Sequence, residues 1–171
     1  IAAISIEHTI EMAENAMQMG KKVIIFTSFT EELEILHKHF GKLSVTHNGK
    51  MSNANKQKSV DSFQNNEKVK VFIGNIKSAG VAITLTEASV VIFNSFSWVP
   101  GDNEQAEDRA FRIGQINDVV VYYQLFEDTI ATRMWEMLKT KKDIISTIIG
   151  DKQMTEDEVN IIMTEKLMEE Y

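Results

Sequence analysis

Short apolar runs and longer stretches of helical spacing alternate along the chain. "EHTIEMAENAMQM" repeats apolar residues at helical intervals and stops at Gly20. "KVIIFTSF" is β-branched and aromatic and predicts a buried strand. Thr30 is placed to cap the next helix, "EELEILHKHF", which ends at Gly41. "LSVTH" predicts a short strand, and "MSNANKQKSVDSF" opens with Ser52 and predicts a helix. "KVKVFIGN" and "ASVVIFNSF" predict two further strands. Asp102 is placed to cap a helix over "DNEQAEDRAFRIGQ", with Gln105 set for a capping box and Gly114 as the stop. "DVVVYYQLF" predicts the last strand. Strands separated by helices indicate crossover units, hence an α/β fold with a parallel sheet covered on both faces.

After Phe126 the pattern is helical. Ile130, Met134, Met137, Leu138 and Ile145 are its apolar positions, Gly150 ends the stretch, and Thr155 with Glu158 opens another. The expected division is a lobe over residues 1–126 and a helical extension over 127–171 that packs on it.

Composition narrows the classes. At 171 residues, 43% hydrophobic and 25% charged, the chain has the length and balance of one soluble globular domain. No apolar run reaches the roughly 18 residues of a membrane span, and "IAAISIEHTIEMAEN" shows no secretory signal, so no membrane partner is expected. With no cysteine, disulfides and thiolate metal sites are excluded. A net charge of −7 means that nucleic acid would have to meet a local basic path, or a partner domain outside this chain.

Candidate chemistry is sparse. "VFIGNIKSAG" follows a strand and holds a Lys-Ser pair, but Val71 and Ile76 stand where a phosphate-binding P-loop needs glycine. No Asp-Glu pair follows an apolar strand to hold magnesium. His37 and His39 point apart on a helix and no histidine has metal-ligand spacing, so no metal site is expected. The acidic run at Glu31, Glu32 and Glu34 reads as a solvated face. Arg109 and Arg112 lie on the helix predicted over "DNEQAEDRAFRIGQ" with Gln105 one turn before, and helical spacing puts the three on one face. Alone, they are most simply surface residues, with Asp108 able to pair with Arg112.

Their neighbours change that reading. "KVIIFTSF", "HNGKMSNANKQKSVDSF", "NIKSAGVAITLTEA" and the stretch from Trp98 to Gln115 with its "QAEDR" and "RIGQ" occur in a fixed order. From about Lys22 to about Ile149 the chain resembles the second RecA-like lobe of superfamily 2 helicases of the Swi/Snf type. These segments resemble motif IV, the glycine-then-basic segment after it, motif V and motif VI; "FEDTIATRMWEMLKTKKDII" resembles the helix that packs across the two lobes.

The resemblance implies a RecA-like parallel sheet sandwiched by helices with a helical C-terminal extension. It implies a DNA-dependent ATPase that translocates on duplex DNA, with ATP and Mg2+ held together with an N-terminal RecA-like lobe of the same protein. Arg109 and Arg112 would reach the ATP phosphates, Gln105 would line the same cleft, and Gly80, Ala82 and Thr84 of motif V would lie beside the nucleotide. Ser28, Phe29, Asn48, Lys50, Asn75, Lys77 and Ser78 would meet the DNA backbone. The chain alone would be inactive. The setting would be intracellular, cytoplasmic in a prokaryote or virus and nuclear in a eukaryote. Departures from the pattern are Ala79 and Ala82 for glycines, Val99 for asparagine, Phe111 for histidine, Lys56 for arginine, and Ser95 near a usual aspartate. A strand-separating helicase lobe and a degenerate docking module remain as alternatives.

Overall fold

Each predicted strand forms, and all are parallel. The computed structural model describes residues 2–79, 83–110, 118–125, 132–133 and 135–139. In chain order the elements are α1 (Ala2–Gln18), β1 (Lys22–Thr27), α2 (Thr30–Phe40), β2 (Ser44–His47), α3 (Asn53–Asn65), β3 (Val71–Asn75), the single turn α4 (Ile76–Ala79), β4 (Ala88–Phe93), α5 (Pro100–Glu107) and β5 (Val120–Tyr123). The sheet order is β2-β3-β1-β4-β5. In register, Ile25 of β1 lies beside Ile73 of β3 and Ile92 of β4.

The inner strands β3, β1 and β4 are buried on both faces, which is why they are apolar runs instead of alternating ones. Val23, Ile25, Val71, Ile73, Val90 and Ile92 face α1 and α2, where Ala13, Leu33, Leu36 and Phe40 complete one core. On the other face Phe63 of α3 meets Phe72 at a ring separation of 5.6 Å, and Phe26 meets Phe93 at 5.2 Å. Each such side chain contributes about 1.5–3 kcal/mol by leaving water.

Helix ends show where local rules hold. Gly20 and Gly41 have φ of 76° and 52°, a left-handed region that favours glycine, so α1 and α2 stop where expected. The Ser52 hydroxyl accepts the Asn55 amide and caps α3.

Two expected caps are corrected. Thr30 is the first residue of α2, after an extended Phe29 that makes no side-chain cap. Asp102 lies within the first turn of α5, which starts at Pro100, a position where proline's missing N–H costs nothing. The Asp102 carboxylate accepts instead from the Ser97 hydroxyl at 2.8 Å. Asn103 brackets the Ser97 backbone, accepting its N–H at 2.8 Å and donating to its carbonyl at 2.9 Å. These side chains latch the loop that precedes the helix.

The chain divides into two units: Ile1–Ser97 with Gly101–Gln124, and Trp98–Pro100 with Leu125–Tyr171. The first contains the sheet. In the second, Leu138 is buried and the Lys139 ammonium lies 5.9 Å from the centre of the Trp135 ring. Ile130, Met134, Ile145, Gly150, Thr155 and Glu158 lie outside the described residues.

Candidate functional site

A parallel sheet collects the carboxyl ends of its strands on one edge, and ligands of such sheets settle where the chain reverses its direction of travel. Here it leaves β1 toward β2 and leaves β3 toward β4, so the ends of β3, β1 and β4 frame that place. Ser28 and Phe29 follow β1, Asn48 and Lys50 follow β2, and Asn75, Lys77 and Ser78 close β3 and open α4. Because β2, β3 and β1 are neighbours, all seven residues fall on one edge.

Their side chains differ in what they offer. Phe29 is 61% exposed, and Lys50 and Lys77 are exposed. Asn48 turns its side chain back to accept the Lys50 N–H at 3.0 Å. Asn75 uses both ends of its amide: the nitrogen donates to the Ser28 carbonyl at 3.1 Å, and the oxygen accepts the Lys77 N–H at 3.2 Å. Ser78 is buried, its hydroxyl 2.9 Å from the Asn75 carbonyl and 3.1 Å from that of His47. The Ser28 hydroxyl is buried without a partner. Phe29, Lys50 and Lys77 are therefore the groups open to a polyanion. Asn75 and Ser78 tie strand ends together.

His47 beside them is fully enclosed, its ring 5.8 Å from that of Phe72 and its Nδ1 3.3 Å from the Ser78 hydroxyl. Burial first, then the positive Lys56, hold its pKa below the usual histidine value. The unfolded chain therefore takes up the proton more readily. The contribution of neutral His47 is complete above about pH 6.5 and is lost as pH falls through the window between that value and the lowered one, at up to about 1.4 kcal/mol per pH unit. His47→Gln is expected to flatten this dependence. Denaturant unfolding at about pH 7.5 and about pH 5.5 checks it, and identical slopes for both proteins would rule it out.

The arginine helix departs from expectation. α5 ends at Glu107, and Asp108, Arg109 and Ala110 form a turn. The cause lies in three bonds. The Arg109 N–H reaches back only three residues, to Ala106, at 3.2 Å; its Nε takes the Gln105 carbonyl at 3.0 Å; its carbonyl accepts the Leu85 N–H at 2.9 Å. The side chain thus caps the carbonyl that a continuing helix would have given to the Arg109 amide. Gln105 and Arg109 do not share an open face: Gln105 is exposed, whereas Arg109 is 8% exposed. The last turn of α5 is also anchored to β5, where the Tyr123 hydroxyl donates to Glu107 at 2.5 Å. Burial, then that bond, push the phenol well above its usual range. Thr84 lies half-buried beside Leu85, so the motif V loop is bound directly to the arginine turn. Arg112, Gly80 and Ala82 lie outside the described residues.

Two residues of the edge escaped sequence reasoning. Glu32, expected on a solvated face, is 8% exposed and accepts the Ser95 hydroxyl at 2.5 Å. Helical spacing carries a signal for it, since Glu32 stands four residues before the buried Leu36. Ser95 in turn accepts the Ser28 N–H at 2.8 Å.

Comparison with known proteins follows the same outline. The profile of the family described as "Helicase conserved C-terminal domain" matches residues 5–114. A Caenorhabditis elegans protein, the SWI/SNF-related matrix-associated actin-dependent regulator of chromatin subfamily A-like protein 1 homolog, is 33% identical over 94% of this chain and 24% of its own length. The solved C-terminal part of the Fun30 ATPase domain has a TM-score of 0.74 at 26% identity, covering 94% of this chain and 52% of that one. The Sulfolobus solfataricus SWI2/SNF2 ATPase core in complex with dsDNA has a TM-score of 0.66 at 32% identity, covering 84% of this chain and 31% of that one. The chain spans a quarter or less of the curated relatives it matches first.

Proposed function

Since this chain belongs to the helicase conserved C-terminal domain family, as the second RecA-like lobe of a SNF2-type helicase, we propose that it completes the ATP site of a DNA-stimulated ATPase that translocates on duplex DNA. In this reading Arg112 serves the phosphates and the buried Arg109 holds the turn before it, Gln105, Gly80, Ala82 and Thr84 line the nucleotide cleft, and Phe29, Lys50 and Lys77 meet the DNA backbone. The setting is intracellular.

The observation that carries the proposal is the Leu85–Arg109 bond of 2.9 Å. It ties the loop after the strand edge to the arginine turn, so that a shift at one is felt at the other. A lobe built this way couples what touches DNA to what touches phosphate, and closure onto a first lobe links hydrolysis to motion. Val71 and Ile76 stand where a P-loop would need glycine, and the reading assigns the phosphate-cradling loop and Mg2+ to the first lobe. There the ion would neutralise phosphate charge. This chain contributes guanidinium donors, whose planar fork matches phosphate oxygens without losing its proton.

The test is a DNA-stimulated ATPase titration of the full-length protein. Lys77→Ala is expected to raise the half-saturating DNA concentration several-fold, equally for unrelated sequences, and to lower the salt slope by about one. The 171-residue chain alone is expected to turn over no ATP. An unchanged salt slope, or turnover by the lone chain, would reject the proposal.

A further inference from the structure

We propose that Asn75, Ser95 and Glu32 form a clamp that sets the angle at which the Ser28–Phe29 turn meets DNA, an assignment that rests on the DNA face proposed above. No helix cap holds the turn in shape. Phe29 is extended and 61% exposed, and no side chain caps the helix that follows. The Ser28 hydroxyl is buried unpaired, which costs about 1–3 kcal/mol in a folded protein. A turn relaxing freely would satisfy that hydroxyl, so its conformation is imposed from outside.

Two distant side chains impose it, helped by two that lie close to the turn in the chain. Asn75, at the end of β3, donates to the Ser28 carbonyl at 3.1 Å. Ser95, after β4, accepts the Ser28 N–H at 2.8 Å. Thr27 donates to the Phe29 carbonyl at 2.9 Å. Glu32 fixes Ser95 by accepting its hydroxyl at 2.5 Å, which leaves the serine lone pairs aimed at the amide. Burying a carboxylate to orient a serine is costly unless the orientation matters. The same Asn75 amide also accepts the Lys77 N–H at 3.2 Å, so the aromatic ring and the lysine are set by one residue. Asn75 thereby becomes a positioning residue in place of a direct DNA contact. Ser95 and Glu32 join it.

The experiment measures duplex-stimulated ATPase of the full-length protein and separates half-saturation from kcat. Ser95→Ala removes the acceptor of the Ser28 amide. It is expected to raise the half-saturating DNA concentration about fivefold to tenfold, with kcat at saturating DNA within about twofold. Ser95→Thr keeps the hydroxyl and is expected to restore half-saturation to within about twofold. In a Phe29→Ala background, Ser95→Ala is expected to add little, since it acts through the turn. Fully additive effects would overturn the clamp, as would a fall in kcat and melting temperature without a change in half-saturation. If Lys77→Ala shifts half-saturation while Ser95→Ala does not, the clamp is wrong and the DNA face stands. If neither does, the face is misassigned and the clamp falls with it.

Discussion

Arg112→Ala in the full-length protein is expected to lower the DNA-saturated ATP turnover number by about 10³-fold or more, with a much smaller change in KM for ATP. A guanidinium that meets charge spreading over the transferred phosphoryl oxygens acts mainly in the transition state, and such arginines contribute about 10³ to 10⁵ in rate. Arg112→Lys is expected to recover little, because an ammonium lacks the planar fork that engages two oxygens at once. The contrast with Lys77→Ala is informative, since that change is expected to alter DNA concentration dependence more than chemistry. Steady-state ATPase at saturating duplex checks this. Turnover within a few-fold of wild type would show that Arg112 has no part at the phosphates.

How much of this was legible in the chain depends on the range of the forces that decide each feature. All five strands were readable, the inner three because strands buried on both faces need continuous apolar runs such as "KVIIF" and "SVVIF". Gly20, Gly41 and Ser52 were readable because left-handed backbone and hydroxyl caps are local chemistry. The end of α5 was not. It is set by the bond from Leu85, 24 residues before Arg109, and by the arginine side chain turning back on Gln105. The seven residues that the resemblance set against DNA fall on one edge, since a parallel sheet gathers its strand ends by topology. Which of them point outward was hidden, because Asn75 and Ser28 meet across 47 residues and Ser78 and His47 across 31.

The same distinction separates the two arginines. Arg109 is 8% exposed, donates to the Gln105 carbonyl and accepts from Leu85, so it holds the arginine turn against the motif V loop. Arg109→Ala keeps the backbone bonds, from Leu85 and to Ala106, and removes the side chain's own. The Gln105 carbonyl loses its donor, and the aliphatic stem leaves a space that the turn fills only in part. The expected cost is about 2–4 kcal/mol. For a chain of this size that is a fall in melting temperature of about 5–15 °C. Arg109→Lys keeps stem and charge but has no Nε–H, so about half of the loss should return. ATPase of the full-length Arg109→Ala protein should also fall, even well below its melting temperature, because the turn that precedes Arg112 in the chain has lost its anchor. Thermal melts of the lone chain beside full-length turnover tell the two roles apart. A melting temperature within about 1 °C of wild type would mean that the buried guanidinium does not brace the turn, and any loss of turnover would then belong to phosphate contact by Arg109 itself.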